Sequence, residues 1–144
     1  MTIIDENDNL VPLEGDTTIP ASIASYAEGY KTISGGLAAH AEGYRTQAYG
    51  PAAHSEGIGT YAAGAFTHAE GQETVALGVA AHAEGKNTGA LGPSSHAEGE
   101  GTESSGEWSH AEGLDTVASG DKSHAEGHES KAIGRCSHAE GAYS

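Results

Sequence analysis

Eight histidines, His40, His54, His68, His82, His96, His110, His124 and His138, recur every 14 residues without exception. Each opens a His-Ala-Glu-Gly quartet, with Ser55 replacing alanine once. Tyr26-Ala27-Glu28-Gly29 is the same unit with tyrosine in the histidine place, and Glu14, Gly15 and Thr18 hold the phase one unit earlier. Residues 12–25 therefore read as a degenerate first coil. A period kept this strictly marks a repeat architecture, in which each unit buries its inner face only by stacking on its neighbours.

Composition alone would argue otherwise. Leu, Ile, Val and Phe together number eighteen in 144 residues, and the formal net charge is −15. That balance is typical of disordered chains, and a core of large side chains is excluded. The period overrides this and says that order comes from stacking. With six basic residues against twenty-one acidic ones, nucleic acid and anionic membrane are not expected partners, since both need a basic footprint. The lone Cys136 excludes a disulfide framework and a four-cysteine zinc site. The start, MTIIDENDNLVPLEG, lacks the basic and apolar regions of a secretory signal.

Each unit divides into two similar halves, [Ser/Thr/Ala]-x-Ala-x-Gly-x-x. Ser109-His110-Ala111-Glu112-Gly113 is followed by two residues, then by Thr116-Val117-Ala118-Ser119-Gly120. Strict alternation over five residues is the period of a strand. Each Gly-x-x predicts a tight corner, with the glycine supplying a positive φ. Helix is disfavoured, because a glycine every seven residues costs about 1 kcal/mol per site. One coil is therefore expected to be two short strands and two corners. Ser109, Ala111 and Gly113 then share one inward face, and Thr116, Ala118 and Gly120 the other, with the threonine column from Thr32 to Thr116 pointing inward. Side chains this small allow a thin, flat interior. Strands of successive coils pair at about 4.8 Å, so nine coils make a rod of roughly 40 Å.

The outward positions differ between the halves. On the second strand they vary freely, as in Gln47/Tyr49, Val75/Leu77, Glu103/Ser105 and Lys131/Ile133. On the first strand the pair is always His and Glu: His40/Glu42, His54/Glu56, His68/Glu70, His82/Glu84, His96/Glu98, His110/Glu112, His124/Glu126 and His138/Glu140. Such uniformity implies one packed environment repeated in every layer. A thin coil buries too little apolar area, at about 25 cal/mol per Å², to offset its ordering entropy. Closed cyclic association along the His/Glu face would remedy this.

A Ser-x-Ala-x-Gly-x-x-Ser/Thr-x-Ala-x-Gly pattern at period 14 resembles the head repeat of trimeric autotransporter adhesins (YadA-like), also found in bacteriophage tail fibres and appendages. The resemblance spans residues 26–144. It implies an all-β fold: a left-handed parallel β-roll, a solenoid of 14-residue, two-strand coils, assembled as a homotrimer about a threefold axis. Where adhesin heads usually carry two aliphatic residues, this chain carries His and Glu, which suggests a polar axis. The sixteen His and Glu residues are then expected to form interchain ladders that set register and stoichiometry, each imidazole donating a charge-assisted hydrogen bond to a carboxylate. A carboxylate neighbour favours protonated imidazole, so such a ladder should weaken as pH rises through the folded histidine pKa, and again in strong acid.

Other chemistries carry weaker signals. His-x-Glu on a strand places two ligands on one face, and threefold histidine clusters can hold a transition metal, yet a structural ladder explains the repetition better. No metal or cofactor is therefore assigned. The His-x-Glu of zinc deaminases lacks its Pro-Cys-x-x-Cys partner here, and no His-Glu-x-x-His occurs. Eight identical motifs argue for structure, because an active site needs one constellation; no enzyme is expected and no catalytic residue is assigned. Phe66, Trp108 and Cys136 share one corner position and are read as packing in a chain–chain groove. Tyr30, Tyr44, Tyr49 and Tyr61 are read as exposed aromatics, with a carbohydrate-binding surface as the alternative. His128 lies off the period and is expected to be exposed. An ice-binding solenoid is disfavoured by the inward threonine column.

These readings converge on two regions: residues 1–25 as an N-terminal cap or linker, and 26–144 as a β-roll of about nine repeats. The expected function is a structural spacer in a phage tail fibre or appendage, located on the virion, that partners itself and host cell-surface carbohydrate or protein. Ser144 is read as a candidate C-terminal maturation end. The alternative is a head fragment of a bacterial trimeric surface adhesin, on the cell surface, and a metal-binding or ice-binding solenoid comes next.

Overall fold

The computed structural model describes residues 18–144, together with the backbone of two short strands, Ile3–Ile4 and Leu10–Val11, which pair antiparallel. The rest of the expected cap up to residue 17 lies outside the described residues. From Ile19 onward the chain is a parallel β-solenoid of about nine turns with two nine-stranded sheets. One sheet stacks the long strands, from Tyr26–Tyr30 and His40–Tyr44 through His124–His128 to His138–Ala139. The other stacks two-residue strands, from Ile19–Pro20 and Ile33–Ser34 to Lys131–Ala132. Pairing is in register at one coil's offset: His68 lies beside His82, Glu70 beside Glu84 and Val75 beside Gly89.

Between the sheets lies a core without large side chains. Ala41, Ala69, Ala83, Ala97, Ala111 and Ala125 line it from the long strands, and Ala48, Ala62, Ala76, Ala90 and Ala118 from the short ones, all fully buried. Thr32, Thr46, Thr60, Thr74, Thr88, Thr102 and Thr116 are buried as expected, and threonine is the largest residue fully buried among the described residues. Backbone polar groups are satisfied between coils, which is what makes so slender a core tolerable. Even the corners join this ladder: Asp115 N–H donates to the Glu100 carbonyl, and Lys122 N–H to that of Glu107, both at 2.8 Å.

The two halves of a coil are less alike than the sequence suggests. The long strand runs His110–Leu114 rather than Ser109–Gly113. The short strand spans Val117–Ala118 rather than Thr116–Gly120. It stops because Ser119 and Gly120 N–H groups converge on the single carbonyl of Ala132, at 3.0 and 3.2 Å, while Ser123 N–H closes a turn on Gly120. The inward face expected for Gly113 is also corrected: it is exposed, with φ near 110°. A Cβ on it would meet the Gly127 carbonyl.

Nor do the second-half glycines supply the left-handed corners. Gly120 does not have a positive φ; Lys122, two residues later, has φ of 58°. Phe66, Trp108 and Cys136 occupy the same corner in other coils, at φ of 55–60°, and all three are exposed. Gly120 is needed for another reason: a Cβ there would strike the Gly134 carbonyl of the next coil.

Candidate functional site

Because register is exact and the coil offset constant, every copy of an outward side chain stacks on its own image. The histidine rings form one column from His40 to His138, with centroids 4.8–4.9 Å apart and planes within 16° of parallel. Tyr26 extends the column at one end, tilted 55° against His40. The glutamates, from Glu42 to Glu126 and Glu140, form a second column beside it. The structure thus brings all sixteen predicted residues onto one face of a single chain, with about a third of each side chain exposed in the interior layers.

Within each layer Nε2 of histidine faces Oε2 of its own glutamate. The gap is 3.4 Å for His68–Glu70 and 3.5 Å for His82–Glu84. It is 3.6 Å for His54–Glu56 and His110–Glu112, and 3.7 Å for His96–Glu98 and His124–Glu126. His40–Glu42 and His138–Glu140 are wider still, at 3.8 and 3.9 Å. All exceed the 2.7–3.2 Å of a sound N–H···O bond. Within one chain, then, a histidine and the glutamate two residues on stand side by side without a hydrogen bond; the bonds expected of Glu126 and its seven counterparts are between chains. The solvent-shielded Nε2 atoms of His40, His54, His68, His82, His96, His110 and His124 have no hydrogen-bond partner among the described residues. In the tyrosine-bearing layer, by contrast, Tyr26 Oη donates to Glu28 at 3.2 Å, and the carboxylate holds that phenol above its ordinary pKa.

At two interior layers the electrostatics of the single chain run the other way from an attraction-dominated ladder. Burial holds the His68 imidazole below its ordinary pKa, helped by repulsion from stacked His54 and His82, and these outweigh the attraction of Glu70 and Glu56. His96 is lowered in the same way, by burial first and then by His110 and His82. At His68 and His96, burial and like rings stacked less than 5 Å away thus disfavour the charged form in the single chain. The carboxylates of Glu70 and Glu56 do favour protonation of His68, as expected of a carboxylate neighbour, but in the single chain burial and the stacked rings outweigh them.

Groups from successive coils approach closely enough to share an ion. His82, Glu84 and His96 bring three donor atoms within 4.8 Å of one another, as do His96, Glu98 and His110, and Glu42, His54 and Glu56. The sequence reading treated His-x-Glu within one strand and missed this coil-to-coil arrangement, although the 14-residue period was the signal for it. It also missed a shallow open groove along Glu28, Glu42, Glu56 and Glu70, floored by Gly29, Gly43, Gly57 and Gly71.

The remaining singled-out residues are spread over the surface. Tyr30 stacks on Tyr44 at 5.2 Å, each with a cation beside its ring, Lys31 and Arg45 respectively. Tyr49 meets Tyr61 at 5.8 Å on the short-strand side, so the four tyrosines make two pairs rather than one cluster. Lys122 lies over the Trp108 ring at 5.2 Å. His128 is half-exposed, 3.3 Å from Glu129.

No curated protein matches the chain. The YadA head domain repeat (2 copies) matches residues 55–81, 69–88, 83–102 and 111–135. Those segments fall on the stacked coils just described and cover about half of the sequence, and the chain belongs to the YadA head domain repeat family.

Proposed function

We propose that this chain is an adhesin-like, non-enzymatic fibre module that works as a homotrimer, three left-handed parallel rolls packed about a threefold axis with their His/Glu faces inward. One observation carries the reading. A roll with no fully buried residue larger than threonine presents a uniform His/Glu face whose Nε2 atoms find no partner within the chain. Interchain contact would give those atoms acceptors and add the apolar burial that the slender core lacks. Handedness follows from the family resemblance. Residues 1–25 serve as N-terminal cap or linker and 26–144 as the roll.

The work is mechanical and presentational: a stiff spacer on an extracellular surface, displaying the variable short-strand side chains to host carbohydrate or protein. A phage tail fibre or appendage is the owner we favour. The head of a bacterial surface adhesin is the second reading, favoured by the family match. Identical layers without a distinguished constellation give catalysis no foothold, and burial of the threonine column weighs against ice binding.

Light scattering on a sizing column tests the assembly. A mass of three 14.5 kDa chains, about 43 kDa, is expected at neutral pH. A folded monomer would leave the His/Glu face in water and overturn the proposal.

A further inference from the structure

We propose that the His/Glu face is a linear array of transition-metal sites, each built from the histidine and glutamate of one coil and the histidine of the next, with zinc as the expected ion. His82, Glu84 and His96 form the clearest unit, repeated at His96/Glu98/His110 and His110/Glu112/His124. This goes beyond the fibre reading, because all donors come from one chain; an Nε2 that binds zinc has no proton to donate across the trimer axis, so in the zinc-loaded fibre the association rests on apolar burial instead.

Three observations converge. The donor set is imidazole and carboxylate, which suits zinc and its neighbours among the first-row metals. The Nε2–Oε2 gap is too long for a hydrogen bond but has the right span for two ligands of one ion. With metal–ligand bonds of about 2.0–2.1 Å, two donors of a tetrahedral site lie about 3.4 Å apart; the His82–Glu84 gap is 3.5 Å and the His68–Glu70 gap 3.4 Å. Shielded Nε2 atoms without partners recur in seven layers, and a buried polar atom left unpaired so regularly calls for a ligand. Charge adds a reason. The glutamates of successive coils stand one coil apart in register on a chain of formal charge −15, and divalent cations between the coils neutralise that column. The third donor, on the histidine of the next coil, lies within 4.8 Å of the other two.

The geometry limits the stoichiometry. A single Nε2 cannot serve the coil below and the coil above together, so eight ladder histidines allow about four two-histidine sites per chain, not eight.

The test is a zinc titration against a competing chromophoric chelator, in a Cys136→Ser background because the exposed thiol would bind zinc itself. Saturation near four zinc ions per chain is expected. A variant carrying His54→Gln, His82→Gln, His110→Gln and His138→Gln keeps four ladder histidines, none in adjacent coils. Its affinity should fall at least about tenfold, a loss typical of a stripped metal shell. Eight ions per chain, unchanged affinity in the variant, or no retention of zinc by the parent would each overturn the array. Should the variant lose its β spectrum, zinc-edge X-ray absorption on the parent decides instead: two imidazoles per zinc are expected, and any other number overturns the assignment. Since the sizing experiment reads mass alone, failure of the trimer and failure of the metal sites are separately visible.

Discussion

Along the long-strand sheet every coil from His40 to His138 presents the same two side chains, whereas along the short-strand sheet one outward position holds Tyr61, Val75, Gly89, Glu103, Val117 and Lys131 in turn. Both sheets stack at the same offset and both cover the same alanine and threonine core. The difference teaches what uniform repetition demands. A side chain copied in register must tolerate its own image less than 5 Å away. Imidazole rings do so by stacking, and glutamate needs a neighbour or an ion to relieve its column. A varied column escapes that constraint and is free to carry recognition. In the long sheet five residues per strand are paired with each neighbour, in the short sheet only two, so the long sheet is expected to dominate stability.

The sharpest way to break this comparison is to put a Cβ into the long sheet. Gly85 has φ of 106°, and a Cβ there would collide with the Gly99 carbonyl. Gly85→Ala should cost about 3 kcal/mol or more in urea unfolding, combining backbone strain with a coil-to-coil clash. Ser119→Ala, exposed on the short-sheet side, should stay within about 0.5 kcal/mol of the parent. Equal midpoints for the two would end the asymmetry argued here.

Next in size are the inner hydroxyls. Ser55 and Thr60 share a buried hydrogen bond of 2.7 Å, so Thr60→Val orphans Ser55 and should destabilise by about 1–3 kcal/mol. Thr74, equally buried, has an Oγ1 with no partner, and Thr74→Val should be neutral or stabilising by up to about 1 kcal/mol. Matching losses in both variants would show that packing, not hydrogen bonding, governs this column.

The pH dependence sharpens the histidine side of the comparison. His68 and His96 sit below the ordinary imidazole value in the folded chain. Their contribution is complete above the unfolded value, about 6.5, and is lost as pH falls through the lowered folded one. In the presence of chelator the melting temperature should therefore fall between about pH 7.5 and pH 5. A rise over that range would restore the charged ladder that the sequence suggested. Smallest of all is the exposed pair Lys86–Glu100, 2.6 Å apart across two coils; Glu100→Gln should change stability by less than about 0.5 kcal/mol.

Much of this was readable from residue order. A 14-residue period with two small-residue columns per half could only be a stacked β structure, because alternation assigns faces and Ala, Ser and Thr leave room for nothing wider. Thr32 to Thr116 lie buried and the His/Glu residues share one face for that reason. What alternation could not reveal was where each strand ends. The two halves carry nearly the same pattern, yet Gly113 continues a strand at positive φ while Gly120 ends one, and Lys122, Trp108 and Phe66 rather than glycines take the left-handed corner. Those outcomes depend on which carbonyl of the next coil each N–H reaches, and so on the stacked geometry. The protonation preference of the histidines was decided in the same way. Sequence places each imidazole beside a glutamate two residues on, as His124 beside Glu126, but only the stack sets further imidazoles above and below it, and at His68 and His96 that proximity, with partial burial, outweighs the carboxylate. Order along the chain thus determined the coil and its faces, while the distance between coils decided the turns and the protonation preference at His68 and His96.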